Sequence, residues 1–406
     1  FKQKTAYEIV DCDWSSDVCS SDLLPIDDPK AFDEAMYILL CGTGVGFSVE
    51  QKYVNKLPEI PTQLFESGTV IKVKDSKEGW AKALRQVIAL LYAGEIPKWD
   101  VSSVRPAGTR LKTFGGRASG PEPLVELFKY TVAKFKGAAG RKFHSLECHD
   151  LLCKIGEVVV VGGVRRSAMI SLSDLGDDRM AHAKAGNWWD GNGQRALANN
   201  SAVYDVRPDV GQFMREWSSI YESHSGERGI FNRYASELQA GKNGRRKLNQ
   251  EWGTNPCSEI ILRPYQFCNL SSVIVRSDDT VDRLRDKIAM ATILGTFQST
   301  LTHFPYLRKV WQTNTEEERL LGVSMTGILD NPLLNDPDNP DLPGLLEELK
   351  NVAVSVNSKY AADIGINPSV AITAIKPEGT VSQLSGTASG IRSEEHTSEL
   401  QSQSTI

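Results

Sequence analysis

Apolar residues recur at helical spacing in three early stretches of the chain: "AFDEAMYILLCGTGVGFSVE" (31–50), "SKEGWAKALRQVIALLYAG" (76–94) and "EPLVELFKYTVAKFK" (122–136). Each predicts a helix with one buried face. The first breaks at Gly42, Gly44 and Gly46 before a short strand-like run, and the second stops at Gly94, the residue type that best tolerates a helix end. Between them and beyond, "VSSVRPAGTRLKTFGGRASGPEPL" (101–124) predicts two short strands with glycine-rich loops. "LECHDLLCKIGEVVVVGGVRRSAMISL" (146–172) predicts a helix and then a β-branched strand that ends at the Gly162-Gly163 turn.

Further on, short and fully apolar runs alternate with helical patterns: "SAVYDV" (201–206), "SSVIV" (271–275) and "VAITAI" (370–375). Strands of this kind are buried on both faces, so the alternation predicts an α/β fold with a largely parallel sheet or an α/β barrel. The clearest loop is "DNPLLNDPDNPDLPG" (330–344), marked by its Pro, Asn and Asp content. No repeat of solenoid period is visible.

The two ends do not share these patterns. Residues 1–23 and 392–406 resemble translated sequencing-adapter DNA and are expected to be disordered, leaving 24–391 as the folded protein. The ends carry net charges of −3 and −2, which account for the whole formal charge of −5, so the acidic balance identifies no partner. Of the seven cysteines, Cys12 and Cys19 lie in the first end; Cys41, Cys148, Cys153, Cys257 and Cys268 remain. An odd count without a signal peptide speaks against a secreted disulfide framework and for a reducing cytoplasm. No apolar run reaches the roughly 18–20 residues of a membrane helix.

Candidate chemistry narrows by elimination. Gly42, Gly44 and Gly46 do not match the dinucleotide-binding fingerprint. Cys148, His149 and Cys153 lack the tight pairing of zinc ligands and fit as helix residues, and Cys41 fits as a small buried hydrophobe. "TNPCSEIILRPYQFCNLSSVIV" (254–275) is different. Pro256 fixes its own φ and pushes Asn255 out of helical geometry, so Asn255, Cys257 and Glu259 crowd into one turn ahead of an apolar strand. By spacing alone, this turn could be a catalytic loop or a polar loop with one incidental thiol.

"NPCSEI" followed by "FCNL" resembles the active-site signature of the adenosylcobalamin-dependent (class II) ribonucleotide reductases, in their monomeric ribonucleoside-triphosphate reductase branch. "FDEAMYILLCGTGVGFSVE", "RLKTFGGRASGPEPL", "GEVVVVGGVRRSAMISL", "QRALANNSAVY", "SGERGIFNR", "ERLLGVSMTGI" and "KPEGTVSQL" resemble further blocks of that family in its order, across nearly all of 24–391. The resemblance implies a ten-stranded α/β barrel, made of two antiparallel five-stranded halves around a central finger loop and here truncated at both ends. It implies a dry interior for Cys257 as the thiyl radical residue, Glu259 as proton acceptor and Asn255 as holder of the ribose hydroxyls. Cys268 becomes one of two reducing thiols, its partner lying just before "LPIDDP"; Cys19, nearby, has no matching context. Gly379, Thr380 and Ser382 would hold substrate phosphates. Gly162, Gly163, Arg165 and Arg166 would form the loop that reports effector identity. The resemblance further implies adenosylcobalamin as cofactor, a ribonucleoside triphosphate substrate, a deoxynucleotide effector, a thioredoxin-like reductant, a monomer, and no metal ligands, nucleic acid or membrane. Two rival readings are a ribonucleoside-diphosphate reductase large subunit and a non-catalytic nucleotide-binding barrel.

Overall fold

The computed structural model describes residues 20–110, 117–161, 169–224, 226–388 and 390. Strand β1 (Ser20–Pro25) leads into helix α1 (Lys30–Leu40) and strand β2 (Gly44–Ser48). A unit of β3 (Phe65–Lys72), α2 (Lys77–Tyr92), β4 (Glu95–Asp100) and α3 (Glu122–Gly137) follows, with β3 and β4 paired parallel in a separate two-stranded sheet. Helix α4 (Ser145–Val161) returns the chain to β5 (Met169–Asp174), which lies beside β2. Then come β6 (Ala198–Tyr204), α5 (Val210–Ser223), β7 (Gly229–Asn232) and α6 (Arg233–Gly241). A short hairpin, β8 (Gly253–Thr254) and β9 (Ile261–Leu262), precedes β10 (Gln266–Ile274). The remainder is α7 (Val281–Gln298), α8 (Lys309–Glu318), β11 (Leu320–Thr326), α9 (Leu342–Ile364) and α10 (Gly379–Ser385).

The main sheet has the order β11-β10-β1-β2-β5-β6-β7. From β1 to β7 all neighbours are parallel, β10 and β11 are parallel to each other, and the one antiparallel pairing is β1 with β10. Five parallel strands therefore meet two of opposite direction at a seam, as expected for an α/β barrel built from antiparallel halves. The sheet curls, because Phe231 of β7 and Leu320 of β11, at its opposite edges, belong to one inner apolar cluster with Leu23, Leu172, Ile260 and Cys268. Its outer face is covered by α1–α4, whose Phe32, Leu39, Leu84, Phe128 and Phe135 form the principal core.

Periodicity located α1, α2 and α3 closely. In α1, Phe32, Ala35, Met36, Leu39 and Leu40 are buried; in α2 the Ser76 hydroxyl caps the Gly79 amide, and Gly94, at φ +86°, turns the chain out. Three expectations need correction. The β-branched run before Gly162 is the last turn of α4, where Val158 and Val159 continue its apolar face. In 101–124 the described residues show one bridge, Arg110 to Arg117, rather than two strands. The 370–375 run does lie along β11, but as three backbone hydrogen bonds around the single bridge Val323 to Thr373. The adapter-like stretch also reaches into the fold, since β1 begins at Ser20.

Candidate active site on the inner hairpin

Pairing of Gly253 with Leu262 and Thr254 with Ile261 closes residues 255–260 into the tip of a hairpin. Two glycines seat it against the sheet. A Cβ at Gly46 of β2 would lie 2.1 Å from the Thr254 carbonyl oxygen, and one at Gly322 of β11 would lie 3.0 Å from the Ile260 side chain. The hairpin thus rests on strands from opposite sides of the seam, and at Gly46, where the neighbours are backbone, only glycine leaves room.

Within the tip, Asn255 is 1% exposed and its side-chain oxygen accepts from the Ile260 amide at 3.0 Å. The Asn255 carbonyl accepts from the Ser258 amide at 2.9 Å. Ser258 adopts φ +64°, the left-handed conformation that reverses the chain. Cys257 stands at the apex and is exposed. This corrects the expected dry interior: the sheet formed by the described residues has seven strands, and the thiol at the hairpin apex is solvent-exposed.

Glu259 is inward of that apex. Neither of its carboxyl oxygens completes a hydrogen bond, although both are out of solvent. Burial lifts the carboxyl above its ordinary range and the charge of Glu378 adds to the rise, while the Asn255 side chain and Lys376 pull the other way. Glu378 is 2% exposed, accepts from the Ser272 hydroxyl of β10 at 2.5 Å and lies 3.8 Å from Lys376 Nζ. Cys268 is fully buried on β10 in the same inner cluster as Ile260, and its Cα partner across the seam is Ser21.

Gly379, Thr380 and Ser382 fall together on α10, which follows Glu378; Ser382 is buried and its hydroxyl donates to the Gly379 carbonyl at 3.3 Å. Gly162, Gly163, Arg165 and Arg166 lie outside the described residues. Cys148, His149 and Cys153 are buried in α4, far along the outer face, where His149 bonds Asn200 at 2.8 Å and lies 3.5 Å from the Cys153 sulfur. No group of three metal-ligating side chains occurs among the described residues, and no described helix is long and apolar enough to cross a membrane.

Sequence reasoning missed Lys376 and Glu378 as neighbours of Glu259, and the seats at Gly46 and Gly322. Gly46 carried a signal, since a glycine inside a strand pattern marks close backbone approach.

The curled sheet of antiparallel halves is a fold shared with a solved class II ribonucleotide reductase. A crystal structure of a B12-dependent (class II) ribonucleotide reductase matches 91% of this chain and 62% of that one, with a TM-score of 0.74 at 23% identity. Residues 49–133, spanning β3 to most of α3, match the family model "B12-dependent ribonucleotide reductase, insertion domain". The adenosylcobalamin-dependent ribonucleoside-triphosphate reductase of Lactobacillus helveticus is 28% identical over 87% of this chain and 55% of its own length. That of Lacticaseibacillus paracasei is 28% identical over 89% and 55%. The chain is thus similar to B12-dependent ribonucleotide reductases in its insertion-domain segment, in sequence and in fold, and it spans about half the length of the curated relatives it matches.

Proposed function

We propose that this chain is the inner part of the catalytic barrel of an adenosylcobalamin-dependent enzyme that reduces ribonucleoside triphosphates to 2′-deoxyribonucleoside triphosphates. The observation that carries this reading is one hairpin that presents the Cys257 thiol at its apex, two residues from a buried carboxyl without hydrogen bonds. An exposed thiol fits a cofactor that must reach sulfur; when bound, adenosylcobalamin supplies the initiating radical by homolysis of its cobalt–carbon bond. Cys257, as a thiyl radical, takes the hydrogen atom from the ribose 3′ carbon.

Glu259 takes the proton of the 3′-hydroxyl as the 2′-hydroxyl, protonated by a thiol of the reducing pair, leaves as water. Its elevated proton affinity brings it nearer to a working pH, which suits a general base. Asn255 positions the ribose hydroxyls through its amide, since its oxygen is committed to the Ile260 amide. Two electrons come from a thiol pair that ends as a disulfide, and Cys268, beneath the hairpin in the inner cluster, is one member. Gly379, Thr380 and Ser382 receive the substrate phosphates, and the loop with Gly162, Gly163, Arg165 and Arg166 senses a deoxynucleotide effector. A thioredoxin-like protein renews the thiols, in a cytoplasmic and monomeric enzyme.

Because serine stands opposite Cys268, the 406-residue chain is expected not to sustain multiple turnovers. The decisive experiment uses this segment extended to the length of its relatives, supplied with adenosylcobalamin, a ribonucleoside triphosphate and a dithiol. Cys257→Ser abolishes deoxynucleotide formation, and Glu259→Gln lowers kcat by about a hundredfold, within the range for loss of a positioned proton acceptor. Product formation by the Cys257→Ser protein would refute the assignment.

A further inference from the structure

Two buried arginines bracket the hairpin. Before its first limb, Arg233 of α6 donates from Nε to the Trp252 carbonyl at 2.7 Å while Nη1 and Nη2 grip both Glu50 oxygens at 3.0 and 2.7 Å. Past the tip, Arg246 donates from Nη1 to the Ile261 carbonyl at 2.7 Å while Nε and Nη2 hold Glu318 at 3.0 and 2.8 Å. Arg246 also lies over the Trp252 ring, 4.4 Å from its centroid, and donates to Gln266 of β10 at 3.1 Å. Both guanidinium groups, both carboxylates and Trp252 are at least nine-tenths buried.

The carboxylates belong to opposite sides of the seam. Glu50 follows β2, in the set of five parallel strands, and Glu318 ends α8, directly before β11. Each arginine therefore ties a backbone carbonyl at one foot of the hairpin to a different half of the sheet, and both converge on Trp252. A buried ion pair is a poor source of net stability, because desolvation offsets the attraction, but it fixes geometry where a rigid planar fork has one arrangement that satisfies every donor.

We infer that Arg233 and Arg246 are positioning residues for the radical hairpin, setting the placement of Cys257 relative to both half-sheets. The inference builds on the proposed function, which makes that hairpin the reacting element. The two arginines act as a pair of stays, so loosening either foot lets the tip wander while the sheet remains intact.

Hydrogen exchange resolved by peptide, together with the alkylation rate of Cys257 read from its own peptide, tests this on the 406-residue chain without turnover. In Arg233→Met and Arg246→Met, amides of 255–260 should exchange at least tenfold faster and Cys257 alkylation should change, with β2 and β5 exchange within twofold of the parent. Arg233→Lys and Arg246→Lys, which keep the charge but lose the fork, should fall between. Should a methionine variant not fold, Glu50→Gln and Glu318→Gln loosen the same stays with the arginine in place. Unchanged exchange at 255–260, full rescue by lysine, or equal acceleration throughout the sheet would overturn the inference. None of these outcomes depends on Cys257 being a radical site, whereas an active Cys257→Ser enzyme counts against the proposed function alone.

Discussion

The two faces of the main sheet differ in how their buried carboxyl groups are held. On the outer face, Glu34 is held by Arg308 and Trp311, Asp33 by Arg85 and Tyr306, and Asp150 by Arg195 and Lys134. These pairings stitch helices into an apolar layer, with Asp33 Oδ1 the oxygen among them left without a partner. On the inner face, the carboxyl of Glu259 has no hydrogen-bond partner, in a hairpin whose apical thiol is exposed. An unsatisfied group is costly, and on this side the cost coincides with the residues expected to handle substrate.

Asp22 marks the limit of that rule. Leu23 of β1 belongs to the inner cluster and Leu24 to the outer core, so strand alternation puts position 22 on the outer face. There both carboxyl oxygens lie buried without partners, and desolvation, reinforced by the nearby Glu34, raises its proton affinity well above the ordinary range. No site adjoins it. The same symptom accompanies the proposed site at Glu259 and a plain misfit at Asp22, the latter in the stretch whose sequence does not resemble the rest.

The contrast can be broken from the outside first. Phe128→Ala removes a fully buried ring from the outer core and should cost about 3–5 kcal/mol in denaturant unfolding. On the inner side, Ser21→Cys places a thiol in register with Cys268. Mild oxidation should then give a disulfide, detected by mass and thiol titration, that stabilises by roughly 2–4 kcal/mol if the geometry is met. Failure to form it would show that the seam register is wrong.

The smallest effect concerns Asp22→Val, expected to stabilise by about 1–3 kcal/mol through loss of an unsatisfied buried group. Its dependence on pH has a definite sign. With a folded-state proton affinity above the ordinary value near 3.8, folding takes up a proton, so Asp22 weakens the fold increasingly as pH rises from about 3.8. The gap between variant and parent should therefore be least in acid and widen upward; a gap independent of pH would mean that Asp22 is not buried as described.

The helices were legible because their faces repeat every three to four residues, and the hairpin because Pro256 forces a turn amid polar neighbours. The valine run of 158–161 misled because β-branched residues favour strands in isolation, whereas here the run extends an apolar face already laid down by α4. The arginine stays left no local trace: Arg233 meets Glu50 across 183 positions and Arg246 meets Glu318 across 72. Contacts of that range are made by the topology of the sheet, which no window along the chain contains.

That topology also orders events during synthesis. β1 is flanked by β2, made almost at once, and by β10, whose Gln266 joins Leu23 only after most of the chain has emerged. Until then one edge of β1 offers unpaired amides and carbonyls to any passing strand. A nascent chain of this protein thus carries a long-lived sticky border, and chaperone dependence or aggregation during expression should track the interval between translation of the first strand and the tenth.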